Sequence, residues 1–496
     1  MSDLQSAVAK GAPGLFGLDQ RAVANVGLAG FAAPMTAHGA QVVTLDWRPP
    51  AGGDPDRAWR LAASFDDAAV EAANATAVAA FLAAEPVLVG VGLGRDLLAA
   101  LGACTRRLLH AGPPIAYGDM CGPMQGGLIG AALLEGWAPD ADSAARQLSH
   151  GQIDVEPCHH HGAVGPMAGV ISPSMPLWVV QDRSSGRRSF SNLNEGLGSV
   201  LRFGANNEAV LNRLAWMRDE LGPVLAHALG RRPEGLALGP LMAQALHMGD
   251  EVHNRNVAAT GLFLRQLLPA MLDGDLSQAA LQRVVAFIGA NDHFFLNVSM
   301  AACHAMLQAA ADIPNSTMVT VMARNGINFG IQVSGTGSRW FEAPAQVVEG
   351  LFFPGYTATD AAADLGDSAI TETAGLGGFC MAAAPAIARF VGGSPADALA
   401  QSRQMHSLAL ATNPAFTLPA LDFAPTVAGI DIRRVLDSGV LPVINTGIAH
   451  RQAGVGQIGA GITHAPFGCF LSAFDEMFPA VPRVSAVPSS TDSPDG

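Results

Sequence analysis

Short β-branched strands alternate with helix-like segments from Ala24 onward, and this alternation limits the folds open to the chain. Residues 40–50 (AQVVTLDWRPP) are typical of a strand ended by prolines, and residues 66–84 are typical of a helix. Residues 85–102 (EPVLVGVGLGRDLLAALG) then predict a buried strand running into a glycine-rich turn and a helix. Strands that alternate with helices of about 10–15 residues indicate a parallel sheet. The sequence therefore predicts a Rossmann-like α/β domain over residues 17–130.

The rest of the chain changes character three times. Residues 131–235 are mixed and turn-rich, with strands such as PLWVVQD, and residues 236–315 are strongly helical. Residues 316–478 return to strand-like runs around a small-residue helix, GGFCMAAAPAIARFVGG. We therefore expect an α+β multidomain protein with a central helical subdomain between two mixed α/β domains. A flexible leader over residues 1–16 and a disordered, Ser/Pro/Asp-rich tail over residues 479–496 are also expected.

Composition excludes several classes of function. With 49% hydrophobic and 14% charged residues, the 496-residue chain is too apolar to be disordered. Its net charge of −14 and its lack of a basic run predict no nucleic-acid binding. No apolar span reaches the ~20 residues that cross a bilayer, and the start of the chain lacks a signal-peptide pattern. Its six scattered cysteines form no C-x-x-C pair. We expect a reduced, cytoplasmic protein without a membrane partner.

Three consecutive histidines stand in a glycine-rich segment, PCHHHGAVGPMAGVISPSMP, over residues 157–176. On a strand, alternate side chains point to opposite faces, so at most two of His159, His160 and His161 can share a site. An imidazole there could polarise a carbonyl group or move a proton near neutral pH. A histidine run on the surface, bonded only for structure, is the alternative.

A second polar segment, SNLNEGLGSVLRFG, covers residues 191–204. Asn194 and Glu195 precede two glycines, and a glycine-bearing turn can present N–H groups to an anion. An ordinary helix start explains the same pattern. Asn194 and Glu195 are therefore candidates for substrate binding.

Two further segments place histidines beside acidic residues. In HMGDEVHNRN (247–256), His253 lies near Asp250, and in NDHFFLN (291–297), His293 follows Asp292. A carboxylate that orients an imidazole is typical of a proton-transfer pair. His247 and Glu251, four residues apart on a helix, could instead ligate a metal or join a helix interface. Helix capping is the alternative for Asp292.

The C-terminal third contributes the predicted anion site. The strand-following loop VSGTGSRW, with Ser334 and Thr336, could cradle a phosphate or carboxylate while Arg339 clamps it. The predicted substrate-binding positions are Asn194, Glu195, Arg324, Asn325, Ser334, Thr336, Arg339, Asn445 and Thr446. A G-x-G-x-x-G pattern at residues 454–459 lacks room for a following βαβ unit, so no dinucleotide cofactor is predicted.

Taken together, these motifs resemble a known family. DWRPPAGGD, MCGPMQGGLIGA, PCHHHGAVGPMAGVISPSMP, NEGLG, AQALHMGDEVHNRN, NDHFFLN, GDSAITETAGLGG and NTGIAHR are similar to segments of YlbE/AllG-type proteins, over about residues 25–470. The resemblance implies a subunit of oxamate carbamoyltransferase, which interconverts oxalurate plus phosphate with oxamate plus carbamoyl phosphate in purine (allantoin) catabolism. It also implies an oligomer with FdrA-like and AllH-like subunits. The S-x-R-T and H-P-x-Q motifs of ornithine- and aspartate-type carbamoyltransferases do not occur.

The chemistry of carbamoyl transfer assigns roles to the candidates. His160 or His161 would polarise the carbonyl, His253 or His293 would move the proton, and Asp250 or Asp292 would orient them. Arg324, Arg339 and the 334–338 loop would hold the anion. We expect His160 or His161 to line one pocket with His253 and with Arg324 or Arg339. There are two alternatives. One is a metal-dependent amidohydrolase with ligands from His159–His161, His247 and Glu251. The other is a non-catalytic subunit that binds a ligand or acts as a scaffold.

Overall fold

The computed structural model describes residues 22–26, 29–45, 49–102, 105–390 and 392–480. The predicted leader (1–16) and residues 481–496 of the predicted tail lie outside the described residues. In the part of the chain that is described, every helix is too short or too polar to span a bilayer.

Strands are spread along the whole described chain. They are β1 (Ala22–Val26), β2 (Gln41–Leu45), β3 (Pro86–Leu93), β4 (Arg107–His110), β5 (Asp154–Pro157), β6 (Ala163–Val164), β7 (Pro176–Asp182), β8 (Arg188–Asn192), β9 (Leu236–Ala237), β10 (Met318–Asn325), β11 (Asn328–Val333), β12 (Phe341–Pro344), β13 (Glu349–Phe352), β14 (Leu365–Gly366), β15 (Ala409–Leu418), β16 (Ala424–Asp431), β17 (Val443–Ala449) and β18 (Gln457–His464).

Helices fall between these strands and concentrate in the middle of the chain. They are α1 (Ala32–Ala37), α2 (Pro55–Phe65), α3 (Ala68–Ala83), α4 (Gly94–Leu97), α5 (Gly122–Leu134), α6 (Ala141–Ser149), α7 (Glu208–Trp216), α8 (Gly222–Gly230), α9 (Leu238–His247), α10 (Val257–Leu272), α11 (Gln278–Gly289), α12 (Leu296–Ala309), α13 (Ile370–Thr373), α14 (Pro385–Phe390), α15 (Pro395–Met405), α16 (Ile432–Ser438) and α17 (Phe467–Met477).

Most strands join two larger sheets. One has the order β6-β8-β7-β3-β9, and the other has the order β12-β11-β10-β16-β15 with β14 paired to β10. A three-stranded sheet (β13-β18-β17) and two parallel pairs (β1-β2 and β4-β5) complete the described strands. The architecture is therefore mixed α/β with several sheets, and residues 236–315 contain α9 to α12.

The Rossmann-like domain predicted over residues 17–130 is not confirmed. Its strands belong to three different sheets: β1 pairs with β2 in parallel, β3 pairs antiparallel with both β7 and β9, and β4 pairs with β5 in parallel. The apolar pattern located β3 correctly, but it carries no information on which distant strand lies beside it. An antiparallel neighbour from residues 176–182 takes the place that a parallel βαβ neighbour was expected to fill.

Helix α12 lies at the centre of the molecule. Every residue from Leu296 to Leu307 is buried. A helix with no exposed side lies inside the protein, and the buried polar side chains of α12, Asn297, Ser299 and His304, are hydrogen-bonded there. It contacts β7, β8, β3 and α13, and so it holds the ends of several elements at fixed positions.

Strand β10 is a second element that is buried along its whole length. All eight of its residues are buried, and it pairs antiparallel with β11, β16 and the short β14. Gly366 of β14 has φ +114°, and a Cβ there would lie 2.5 Å from the Met167 backbone nitrogen. Only glycine permits this approach. This close approach leaves Asp367, the next residue, beside the histidine turn, with its Oδ1 3.3 Å from His159 Nε2.

Candidate active site

The loop between α9 and α10 carries His253 into the core, against a glutamate of α13. The His253 Nδ1 atom lies 2.7 Å from Glu372 Oε1 and 3.0 Å from Oε2. Both side chains are buried, with His253 3% exposed and Glu372 0% exposed. Because Nδ1–H donates to the carboxylate, the ring is oriented, and in a neutral ring Nε2 is then the nitrogen able to accept a proton. Nε2 has no hydrogen-bond partner among the described residues.

The Glu372 carboxylate is fixed by donors besides His253. It accepts hydrogen bonds from Thr371 Oγ1 at 2.9 Å, from the Gly378 N–H at 2.8 Å and from the Asn445 N–H at 3.3 Å. Donors from three parts of the chain therefore set the position of this carboxylate. A buried carboxylate with several donors is well placed to orient an imidazole.

A second glutamate, Glu251, braces the same loop. Its carboxylate accepts the backbone N–H groups of His253, at 2.9 Å, and of Arg255. Burial, and then the neighbouring Glu372 carboxylate, raise the pKa of Glu251 well above its ordinary value. Two carboxyl groups in one buried site oppose each other's ionisation. Glu251 holds the backbone on both sides of the His253 side chain.

Asp250 does not orient His253, contrary to the expectation from sequence. Its Oδ2 accepts the Ala259 N–H at 2.8 Å, and its Oδ1 lies 3.4 Å from Arg255 Nε. Asp250 therefore caps the start of α10. Burial raises its pKa above the ordinary value. Glu372, 119 residues from His253 in sequence, takes the orienting position.

His293 lies close to His253 and is kept neutral. Its Nδ1 is buried and makes no hydrogen bond with the described residues. Burial, followed by the positive charge of Arg202, lowers the pKa of His293 to about 4. The ring also donates a hydrogen bond to the Asn254 backbone carbonyl, so in the neutral ring the unpaired Nδ1 is able to accept a hydrogen bond from a bound molecule.

Arg202 supplies a buried cation beside His293. Its Nε and Nη2 donate to the Gly196 carbonyl at 3.1 and 2.8 Å. Burial lowers the pKa of Arg202 to about 10, so the guanidinium is still charged at neutral pH. Glu195 accepts the backbone N–H groups of Leu201 and Arg202, and burial raises its pKa. Glu195 shapes this turn, and Arg202 is the group able to face an anion.

A chain of amides anchors the NEGLG loop to α12. Asn194 Nδ2 donates to Asn297 Oδ1 at 2.8 Å, and Asn291 Nδ2 contacts Asn194 Oδ1 at 3.3 Å. Asn297 Nδ2 donates to Asn192 Oδ1 at 2.7 Å. The Asn194 side chain is therefore used within the protein. Its contribution is to hold the turn that bears Arg202.

Strand β17 links the His253 loop to Arg324. Asn254 Nδ2 donates to Asn445 Oδ1 at 2.9 Å, and Arg324 Nη2 contacts Thr446 Oγ1 at 3.2 Å. Asn445 and Thr446 are adjacent, so one strand reaches both groups. The structure thus brings His253, His293, Asn445 and Thr446 into one connected region.

Arg324 is fully enclosed by protein partners. Its Nε and Nη2 form a bidentate ion pair with Asp364 at 2.6 and 2.9 Å, and its Nη1 donates to the Gly366 carbonyl at 2.7 Å. The side chain is 0% exposed. The guanidinium fastens residues 364–366 to β10 and does not present a free fork to an anion.

The other C-terminal candidates are bonded to backbone. Asn325 Oδ1 accepts the Ile327 and Asn328 N–H groups in the turn after β10. Ser334 Oγ donates to the Ala310 carbonyl at 2.6 Å, and Thr336 Oγ1 donates to the Val333 carbonyl at 2.9 Å. Asn325 and Thr336 close local turns, and Ser334 ties the end of β11 to the end of α12.

Arg339 lies at the surface. Its side chain is 59% exposed and forms an ion pair with Glu476. It borders a cleft of about 210 Å³ that Thr336 also lines. Over the described residues, no hydrogen bond or ion pair joins Arg339 to His253 or His293. The predicted anion clamp is therefore not bonded to either of these two histidines.

The three histidines lie in a 3-10 turn, Cys158–His161. His159 points inward with its side chain 1% exposed, 5.2 Å from the His304 ring and with Nε2 3.3 Å from Asp367 Oδ1. His160 is exposed and accepts the Trp340 Nε1–H at 3.1 Å, and His161 pairs with Glu156 at 2.5 Å. Within the described chain, no hydrogen bond connects His160 or His161 to His253.

Sequence reasoning missed Glu372, Asp367 and Arg202. The segment GDSAITETAGLGG contains two of them, and the available signal was a pair of acidic residues in apolar, glycine-rich surroundings. Asp367 accepts the Gly112 and Gly165 N–H groups at 2.7 and 3.0 Å. Buried carboxylates of this kind need partners, so they mark places where distant segments meet.

The residues of the alternative metal site are placed separately. His247 is exposed and lies 2.8 Å from Thr417 Oγ1, whereas Glu251 is bonded to backbone N–H groups. Among the described residues, no group of three or more His, Cys, Asp or Glu side chains is arranged to hold a metal ion.

Together these groups form a candidate site for proton transfer. An imidazole oriented by a carboxylate, a neutral imidazole and a buried cation converge where the 250–256, 291–293 and 194–202 loops meet. Such a set can remove a proton, accept a hydrogen bond from a substrate N–H and balance a negative charge.

Comparison with known proteins gives matches over most of the chain. A family profile described as "Oxamate carbamoyltransferase subunit AllG" matches residues 153–368. The chain is 47% identical over 409 residues to the oxamate carbamoyltransferase subunit AllG of Escherichia coli (strain K12), covering 82% of this chain and 97% of the relative. It is 45% identical over 455 residues to the uncharacterized protein YahG of the same strain, covering 90% and 95%.

A solved structure also matches. The crystal structure of a conserved protein of unknown function from Enterococcus faecalis V583 superimposes with a TM-score of 0.81 at 47% identity, covering 83% of this chain and 98% of that chain. These proteins share nearly half of their residues with this chain across almost their whole length. The chain belongs to the AllG-type family, and the resemblance drawn from its motifs is confirmed.

Proposed function

We propose that this chain is a subunit of a cytoplasmic carbamoyltransferase that interconverts oxalurate and phosphate with oxamate and carbamoyl phosphate. The observation that carries the proposal is the buried His253–Glu372 pair, whose Nε2 has no described partner and lies near neutral His293 and cationic Arg202. The name of the AllG relative supports the reaction class.

The pair supplies the proton transfer that the reaction needs. The amide nitrogen of oxamate attacks the carbonyl carbon of carbamoyl phosphate, a C–N bond forms, and the C–O bond to phosphate breaks. Phosphate leaves with the bonding electrons. The proton of the attacking nitrogen passes to His253 Nε2, while Glu372 stabilises the resulting imidazolium. In the reverse direction, His253 returns the proton to the departing amide nitrogen.

Arg202 and His293 would contact the polar groups of the bound substrates. Oxamate and carbamoyl phosphate are both small anions, and Arg202 is a buried cation whose charge acts on His293. A charge-assisted contact from its guanidinium would hold a carboxylate or phosphate. His293, uncharged, would accept a hydrogen bond from a substrate N–H through its unpaired Nδ1.

Partner subunits complete the proposal. The AllG relative is named a subunit, and we propose FdrA-like and AllH-like chains as partners of this one. The chain is then one component of an oligomeric enzyme. A metal-dependent amidohydrolase and a non-catalytic scaffolding subunit are the competing outcomes of the test.

The test is an assay of the purified chain, alone and mixed with FdrA-like and AllH-like chains, on oxamate plus carbamoyl phosphate. We expect oxalurate and phosphate to form in equal amounts, and formation to continue in the presence of a metal chelator. Release of ammonia from a ureido compound that stops on chelation would favour the amidohydrolase. Unchanged rates in a mixture containing His253→Gln would show that this chain only binds or scaffolds.

A further inference from the structure

Val252, the residue before His253, has a backbone conformation that a β-branched residue rarely adopts. Its φ is +59°, in the left-handed region, and its side chain is fully buried in the main core. A bulky residue at positive φ is an outlier, because its Cβ meets the neighbouring backbone. Such conformations persist only where the surrounding structure enforces them, and they cluster at functional sites.

Contacts on all sides hold the loop in this conformation. The Val252 N–H donates to the Arg255 carbonyl at 3.1 Å, and the Val252 carbonyl accepts Ser299 Oγ of α12 at 2.8 Å. On the far side of His253, Asn256 Nδ2 donates to the His253 carbonyl at 2.6 Å. Together with Glu251 on the His253 N–H, these bonds fix both peptide groups of His253.

The conformation is tied to where the imidazole points. With Val252 left-handed, the His253 N–H turns back to Glu251 while its ring reaches Glu372 on a different segment. Gly249, three residues earlier, also has positive φ (+100°) and meets no steric conflict there. A glycine at position 252 would remove the conflict as well, and the sequence has valine instead.

We propose that Val252 is a positioning residue for His253. Burial of its isopropyl group in the core holds the left-handed backbone in place, and this backbone keeps His253 Nε2 directed at the reacting nitrogen. The inference rests on the proposed function, because it assigns His253 the proton transfer. A glycine at position 252 has no side chain to anchor the loop and can reach many more backbone conformations.

Two substitutions separate the role of the buried side chain from that of the constrained backbone. Val252→Ala removes two methyl groups but keeps a Cβ, whereas Val252→Gly removes both the methyl groups and the constraint on φ. Asp312→Gly is the control, because Asp312 also has positive φ (+63°) but is exposed. Its Oδ2 lies 3.7 Å from Arg187 Nη1, and it makes no described contact with His253. The full enzyme is assayed for kcat and KM, and melting is followed for each variant.

We expect Val252→Gly to lower kcat about tenfold more than Val252→Ala, with KM little changed, since a loosened base affects chemistry and not binding. Asp312→Gly should keep the unsubstituted kcat. A kcat in both the alanine and the glycine variant equal to that of the unsubstituted enzyme, measured per folded molecule, would overturn the inference. If the glycine variant does not fold, a kcat in Val252→Ala equal to that of the unsubstituted enzyme would overturn it instead.

His253→Gln, measured beside them, keeps the two proposals apart. If His253→Gln is fully active, the proposed function fails. If His253→Gln is inactive while both Val252 variants keep the kcat of the unsubstituted enzyme, only the positioning role fails.

Discussion

His253 and His293 lie in one buried region, yet they meet opposite electrostatic surroundings. The ring of His253 donates to a carboxylate, whereas burial and the nearby Arg202 guanidinium lower the pKa of His293 to about 4. The two imidazoles therefore have different hydrogen-bonding partners and suit different chemical roles. His253 is suited to carry a proton, and His293 is suited to remain neutral and accept a hydrogen bond through Nδ1.

The lowered pKa of His293 predicts a pH-dependent stability. Its folded value of about 4 lies below the ordinary 6.5. Between these two pH values, the unfolded chain binds a proton that the folded chain excludes, so the free energy of unfolding falls as the pH drops from 6.5 to 4. The full effect is at most about 3 kcal/mol. Denaturant unfolding of His293→Asn should show a shallower fall over this window, and identical slopes would contradict the pKa argument.

Arg202 should matter for anion binding, and Arg339 should not. Replacing Arg202 with Lys keeps the charge but loses the planar fork that contacts the Gly196 carbonyl, and the two side chains are not equivalent at such sites. We expect Arg202→Lys to raise the KM for oxamate or carbamoyl phosphate at least about tenfold. Arg339→Gln, at the surface beside Glu476, is the matched control and should leave KM unchanged. A raised KM in Arg339→Gln together with an unchanged KM in Arg202→Lys would favour the anion site that the sequence predicts around Arg339.

At the scale of elements, residues 364–372 connect the separate polar groups. Asp364 pairs with Arg324 of β10, Asp367 lies beside the histidine turn, and Glu372 orients His253. One short stretch around β14 and α13 therefore fixes three parts of the molecule. Its sequence, DLGDSAITE, alternates acidic and small residues, which permits both close packing and these polar contacts.

The buried Arg324–Asp364 pair should be strongly coupled. Removing one partner leaves an unpaired charge in the core, and this typically costs about 3–5 kcal/mol. We expect Arg324→Met and Asp364→Leu each to lower the free energy of unfolding by this amount. The double variant should lose less than the sum of the two, because neither charge is then left alone. Strict additivity in denaturant unfolding would show that the pair is not coupled.

Local elements could be predicted from sequence, but their partners could not. PLWVVQD gives the bounds of β7, and the helix expected over 66–84 contains α3. The apolar period that identifies a strand carries no information on the strands beside it. The sequence therefore predicts a parallel sheet for β3, whereas both of its neighbours are antiparallel. The histidine run forms a 3-10 turn, and this turn directs His159 inward.

At the scale of the whole molecule, one continuous core reaches from α3 to β17 and includes α12. The candidate site forms where loops from distant parts of the chain meet this core. His253 and His293 could be selected from sequence because each interrupts an apolar run. Glu372 could not be assigned to His253, since nothing local links residues 119 positions apart. Arg339 looked like an anion clamp because its loop is glycine-rich, but its position relative to the histidines depends on the tertiary fold.

The most direct test of this account is the turnover of His253→Gln in the assembled enzyme, compared with His247→Gln. His247 lies six positions earlier, is exposed and hydrogen-bonds Thr417, so it controls for the loss of an imidazole near the same loop. We predict that His253→Gln lowers kcat at least ~100-fold, the scale of a lost acid/base group, while His247→Gln changes it little. A His253→Gln enzyme that folds and keeps full turnover would contradict the account.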